Sequence, residues 1–205
     1  MATGTLCGGR AADSPSIFLE FLMLMRGTMG LILALLVAAS TDAATESPIR
    51  SVDVRQDSDA YVANLVMFAP VPLKTAWDVL VDFNHMSGWV PNLRESKVVA
   101  TDGNALTVEQ RGTAKFGIFS IPYTSVRKMQ LDALKTVRAT QIEGNMRQLE
   151  SLMTLAGADG GTQLTYRLEM IPGGLAATVL SKEFLEHELR EQFTAIIEEM
   201  VRRNR

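Results

Sequence analysis

The residues in this chain that could do bond-making chemistry are few and widely spaced. Only two imidazoles occur in 205 residues, His85 and His187, and the single cysteine is Cys7. An acyl-transfer centre needs a nucleophile beside a base that a third group orients, and neither histidine lies in a motif such as Gly-x-Ser-x-Gly. No glycine-rich phosphate loop or dinucleotide fingerprint is present. His85, in the loop after a predicted helix, is a candidate for general acid–base work; an exposed loop residue is the plainer reading. One cysteine permits no intrachain disulfide and excludes a cysteine-rich metal site. A metal centre would have to rest on carboxylates alone, so neither metal nor cofactor is expected.

Polar side chains on faces that otherwise read as buried carry more information. Gln110 interrupts Leu106, Val108, Ala114 and Phe116, and Gln141 follows Val137 and Ala139 at a spacing of two. Tyr123, Ser151 and Tyr166 also fall on inward phases. A buried amide or phenol without a partner costs on the order of 1–3 kcal/mol. These groups must therefore bond to one another, to buried water or to the polar end of a ligand. Trp89, between Gly88 and Pro91, reads either as a lid over a cavity mouth or as packing at the sheet's end.

Composition narrows the classes. Apolar residues make up 47% and charged residues 21%, values of a folded globular domain. A formal net charge of −3 offers no basic surface to a phosphate backbone, so nucleic-acid binding is not expected.

The first 44 residues read as an extension plus an address. Arg26 precedes the apolar run Gly30-Leu-Ile-Leu-Ala-Leu-Leu-Val-Ala-Ala39, and small residues follow to Ala44. That is the layout of a secretory signal occupying about residues 25–44. The apolar run from Met29 is well short of the ~20 residues of a membrane span, and extending it backwards would bury Glu20 and Arg26. Export to a bacterial periplasm is expected; an uncleaved anchor is the alternative. Translation starting at Met23, Met25 or Met29, instead of Met1, would give the signal its normal position. Removal of the signal removes Cys7, which suits an oxidising compartment.

Residues 45–205 read as one domain. Ser51–Gln56 and Ala60–Phe68 alternate around Asp57-Ser-Asp59, and Leu73–Asp82 reads as a short helix with Trp77, Leu80 and Val81 on one face. After the irregular stretch from Asn84 to Asn92, strands are predicted over 94–100, 106–116, 119–129, 136–142, 146–155 and from 161 to about 171. Asp102-Gly103 and Gly144-Asn145 are the turn cues, and Pro122 implies an edge position or a bulge. From Ala176 to Arg203 the pattern is one long helix whose stripe is Leu185, Leu189, Phe193, Ile196 and Met200, with His187 on the opposite face. Glu186–Arg190, Glu198–Arg202 and Glu199–Arg203 are i, i+4 pairs. This is an α+β pattern: a curved antiparallel sheet around a long C-terminal helix, with two short helices after the first strands. The space between sheet and helix would fit an apolar ligand.

The segments Trp77-Asp-Val-Leu-Val-Asp-Phe83 and Trp89-Val-Pro-Asn-Leu-Arg-Glu-Ser96 resemble the polyketide cyclase/dehydrase-like and coenzyme Q-binding-like branch of the SRPBCC (START-like) superfamily. Gly161-Thr-Gln-Leu-Thr-Tyr-Arg-Leu168 is similar to that family's penultimate element, and the likeness covers about residues 60–203. Met153 departs from it, standing where many relatives carry Trp. The resemblance implies a helix-grip fold whose cavity takes a hydrophobic small molecule such as a lipid, quinone or polyketide, with transient membrane contact as a further partner. Trp89, Gln110, Phe116, Tyr123, Gln141, Ser151, Tyr166, Leu189 and Phe193 are the expected cavity residues, and no catalytic residue is assigned. The expected function is binding or carriage; the alternative is a cyclase or dehydratase using Tyr123, Tyr166 or His85 as acid–base groups.

The signal reading predicts that the exported protein begins between about Ala43 and Glu46. Mass spectrometry of the mature N-terminus checks it, and finding residues 1–40 on the soluble protein would overturn it.

Overall fold

The computed structural model describes residues 47–205; the predicted signal, its cleavage site and Cys7 lie outside the described residues. Within them, alternating patterns become the strands β1 (Ile49–Asp57), β2 (Ala60–Ala69), β3 (Leu93–Asp102), β4 (Ala105–Phe116), β5 (Phe119–Asp132), β6 (Thr136–Gly144), β7 (Gln148–Ala158) and β8 (Gly161–Ile171). Helical spacing becomes α1 (Leu73–Leu80), α2 (Ala176–Val179) and α3 (Lys182–Arg203), with a single 3-10 turn at Met86–Gly88.

All eight strands join one antiparallel sheet in the order β1-β2-β8-β7-β6-β5-β4-β3. The β1–β2 hairpin starts at one edge, α1 and the 3-10 turn carry the chain to the other, and a meander returns until β8 pairs with β2. Period-two alternation sends one face inward. On β2, Tyr61, Ala63, Leu65, Met67 and Ala69 are buried while the residues between them are not. Pro122 lies on a central strand, yet opposite Thr113 of β4, where pairing with β6 has not begun. The first residues of β5 are thus a local edge, and the missing N–H costs no ladder bond there.

An antiparallel sheet with one apolar face needs a cover, and α3 supplies it, packing against β1, β2, β4 and α1. Leu185, Leu189, Phe193, Ile196 and Met200 are all buried, as their spacing requires, and His187 is exposed. At 1.5 Å per residue its 22 residues run about 33 Å.

Three details correct the sequence pattern. The predicted continuous helix from Ala176 is broken: Leu180 is extended, and Ser181 caps α3 by accepting a hydrogen bond from the Phe184 N–H at 3.1 Å. Serine favours this role because its side chain satisfies one of the free N–H groups of the first turn, and the Tyr61 hydroxyl donates to the Leu180 carbonyl at 2.9 Å to hold the break. Arg202 pairs with Glu199 at 2.6 Å, one residue nearer than the predicted Glu198. On α1 the fully buried side is Ala76, Val79 and Leu80, with Trp77 half-buried beside it.

Met200 is fully buried in solid core, whereas Leu189 faces the cavity described below. Met200→Ala is expected to cost about 2–5 kcal/mol. Leu189→Ala, which widens a space that already exists, falls nearer the lower bound. Denaturant unfolding of the two variants checks the order, and a larger loss at Leu189 would contradict it.

Candidate functional site

Between the inner face of the sheet and α3 lies a cavity of about 260 Å³, just under the range of about 300–1,000 Å³ usual for small-molecule sites. It opens because one helix cannot fill the concavity of eight strands. Strands β4 to β8 contribute one wall through residues such as Ala114, Ile121, Met129, Val137, Met153 and Leu168. The helix contributes Leu185, Leu189, Phe193 and Ile196, and Leu80, Phe83 and Met86 close the far end. Tyr166 of β8 meets Phe193 of α3 with ring centroids 4.7 Å apart and planes tilted by 58°, which joins the two walls. The exposed Thr124 and Asn145 and the half-buried Leu180 mark the rim.

Seven of the nine residues expected at a cavity line it: Gln110, Tyr123, Gln141, Ser151, Tyr166, Leu189 and Phe193. The side chain of Phe116, last residue of β4, lies outside the described residues. Trp89 is a correction. It does not line the cavity but packs half-buried against the main core, with the Arg203 guanidinium 5.8 Å from its ring centroid. The physical reason is that Arg203, on the last turn of α3, is anchored by Asp82 at 2.8 Å and Glu199 at 2.6 Å, so the indole becomes part of the clasp between helix and loop. His85 is drawn into the same network, its Nδ1 2.6 Å from Asp82, and lies away from the cavity. Burial works against the Asp82 charge, but hydrogen bonding to His85 and Arg203 holds the carboxyl below its usual range.

The inward amides are satisfied within the protein. Gln110 Nε2 donates to Ser96 Oγ at 3.0 Å. Gln141 Nε2 donates to the Met146 carbonyl at 2.8 Å, and its Oε1 accepts from Ser125 Oγ at 3.3 Å. Tyr166 is hydrogen-bonded to Ser151, yet burial raises its pKa above that of a free phenol. Burial raises Tyr123 likewise, with Arg127 opposing and Glu188 adding to the rise. The Tyr123 ring crosses β4 at Gly112: a Cβ there would come within 2.4 Å of the phenol oxygen and 2.2 Å of the Asn92 carbonyl. Glycine is required by this close approach.

Two charged residues that the pattern did not mark also line the cavity, Arg127 and Glu188. Arg127 shares the inward phase of Ile121, Tyr123, Ser125 and Met129, so the period of two was the available signal. Glu188 lies between Leu185 and Leu189 on the edge of the apolar stripe. Its Oε1 accepts the Lys115 N–H at 2.8 Å, while Oε2 is buried without a partner among the described residues. Burial, with the nearby Glu191 charge, raises its pKa even though the Lys115 hydrogen bond opposes this. The metal expectation had set histidine apart from the carboxylates, yet α3 brings His187, Glu188 and Glu191 together, their ligand atoms within 4.8 Å of one another. Asn92 Nδ2 lies 2.9 Å from Glu191 and 3.5 Å from Glu188, so an amide already serves both carboxylates, and no metal is assigned.

The model of the family described as polyketide cyclase/dehydrase and lipid transport matches residues 69–197. That is more than half of the chain, which belongs to this family, within the SRPBCC (START-like) superfamily of hydrophobic-ligand-binding and cyclase-like domains. No match to a curated protein sequence is found. Similar solved structures include the Zhui aromatase/cyclase from Streptomyces sp. R1128 (TM-score 0.60, 16% identity, covering 71% of this chain and 96% of that one). A STAR-related lipid transfer protein from Xanthomonas axonopodis is comparable (TM-score 0.57, 14% identity, 73% and 98% covered). So is a START superfamily protein from Mycobacterium smegmatis (TM-score 0.55, 9% identity, 70% and 96% covered). At these identities the likeness establishes the helix-grip fold.

A carboxyl whose folded pKa is raised favours folding fully below its unfolded value and loses that advantage as pH rises through the raised value. Glu188→Gln, which removes the charge, is therefore expected to raise the melting temperature at neutral pH. The gain should shrink as pH falls towards about 4, the ordinary glutamate range. Melting curves against pH check this; a variant less stable than wild type at neutral pH would contradict it.

Proposed function

We propose that this protein binds and carries a hydrophobic small molecule in the cavity between sheet and helix, without turning it over. The observation that supports this reading is the wall itself: aliphatic and thioether side chains surround the space, and the amides that enter it are tied to their neighbours. Burial of an apolar ligand there gains about 25 cal/mol per Å² removed from water. Met86, Met129, Met146, Met153 and Met170 all line the cavity. Flexible thioethers adapt to irregular shapes, which suits a carrier. The cyclase reading needs a base in the cavity. Tyr123 and Tyr166 are phenols that burial keeps protonated near neutral pH, burial shifts the Glu188 carboxyl towards its neutral form, and His85 lies outside.

Export to the periplasm, suggested by the N-terminal pattern, belongs to the same proposal, since a hydrophobic molecule crossing water needs a carrier. Ile118 and Phe119, at the tip of the β4–β5 hairpin, and Leu175, just before α2, are exposed apolar side chains. Ile121 of the same hairpin packs with Ala176 of α2, close to the rim. We assign transient membrane contact for ligand exchange to this end.

Ala139 is buried in the cavity wall on β6, and Ala139→Phe fills the space. Titration with the neutral dye Nile red is expected to show at least about tenfold weaker binding to this variant, one to two buried methylenes' worth. Trp89→Ala should leave the affinity within about twofold, because the indole is not part of the wall. Unchanged dye binding by Ala139→Phe, with the fold intact by circular dichroism, would overturn the cavity reading.

A further inference from the structure

Among the described residues the cavity wall carries one cationic side chain, Arg127, and no ion pair neutralises it there. Arg127 lies in the middle of β5, opposite Val108 of β4 and Gln141 of β6. Its side chain forms no hydrogen bond and no ion pair among the described residues, and its Nε is buried without a partner. A guanidinium carries five N–H donors in a planar fork and stays charged under all ordinary conditions. Buried charges are normally paired, because an unpaired one loses its hydration without compensation.

No neighbouring group among the described residues is paired with it as a counter-ion. Gln141 and Ser125 are bonded to each other, Gln110 to Ser96, and Ser151 to Tyr166. Glu188, the carboxylate that lines the cavity, is held by the Lys115 N–H and makes no ion pair with Arg127. Tyr123 is the remaining uncommitted group. Its hydroxyl makes no hydrogen bond among the described residues, and its ring is fixed against Gly112 on the same inner surface as Arg127. The Arg127 and Tyr123 donors thus face the cavity with no acceptor paired to them among the described residues. Water could accept their hydrogen bonds but would leave the charge uncompensated.

We propose that the molecule bound in this cavity is an amphiphile with a single carboxylate, its head group paired with Arg127 and hydrogen-bonded by Tyr123, its apolar part along the methionine- and leucine-lined wall. This inference rests on the binding reading above and specifies its ligand class. Carboxylate geometry matches the guanidinium fork, giving two parallel charge-assisted hydrogen bonds. One cation calls for one negative charge: a phosphate monoester, close to a dianion at neutral pH, would bury an excess charge. The small volume of the cavity fits a single chain or a small ring system better than a two-chain lipid.

Three probes of equal chain length separate the alternatives: decanoate, decanol and decyl phosphate, each titrated by displacement of Nile red from the mature protein. Wild type is expected to bind decanoate about tenfold or more tightly than decanol, the scale of one charge-assisted hydrogen bond, and more tightly than decyl phosphate. Arg127→Met, close in length and uncharged, should erase the preference while binding decanol at least as well. Arg127→Lys should keep part of it, and Tyr123→Phe should reduce it. Equal wild-type affinity for decanoate and decanol overturns the anion site while leaving the cavity reading intact, and this comparison needs no variant to fold. A preference retained in Arg127→Met overturns it too. Tighter binding of decyl phosphate overturns the choice of carboxylate. Binding of none of the probes, nor of the dye, overturns the cavity reading and this inference with it.

Discussion

The inner face of the eight-stranded antiparallel sheet is largely apolar, and a single helix must keep it from water. The rest of the structure follows from that constraint. Hydrophobic burial, not local propensity, sets the position of α3, since a helix of its length gains most of its stability from packing one face. Each end of the helix is fastened separately. Ser181 and the Tyr61 hydroxyl define its start; at the other end Arg203 reaches Asp82 and stacks over Trp89. Because helix and sheet differ in curvature, fastening at both ends leaves the middle unfilled.

That mismatch turns a packing problem into a site. Protein interiors are otherwise dense, and dry apolar space forfeits dispersion contacts on its lining. An occupant of suitable shape restores them, so the fold stores a binding capacity in its incomplete core. Methionines soften the wall, while the Tyr166–Phe193 contact and the Tyr123–Gly112 approach keep its shape. Electrostatics act at two separate points, Arg127 on the sheet and Glu188 on the helix, which form no ion pair with each other among the described residues. Low polarity around them magnifies what each would gain from a matching ligand group.

The cavity also separates this domain's chemistry from its histidines. His85 is engaged with Asp82 at the surface clasp, and His187 is exposed on the far side of α3. Acid–base capacity inside rests on buried phenols and one carboxyl, all shifted towards their neutral forms by burial. An environment of this kind suits holding a molecule more than transforming it.

The strands, the helix stripe and the inward phase of Gln110, Tyr123, Gln141, Ser151 and Tyr166 were legible in the sequence, because side-chain alternation and the 3.6-residue period are local properties of the backbone. The family resemblance lay in contiguous segments and was legible for the same reason. What the sequence by itself could not determine was which inward polar group meets which partner. The bonds of Gln110 to Ser96 and of Gln141 to Ser125 cross between strands, and only the register sets them. Trp89 had punctuation around it and no period to follow, so its destination depended on Arg203, more than a hundred residues away in sequence. Arg127 and Glu188 were not marked by the sequence pattern, although Arg127 shares the inward phase of its strand. Tertiary structure decided that both face the cavity, because burial and the absence of a counter-ion are properties of the assembled wall and not of any segment within it.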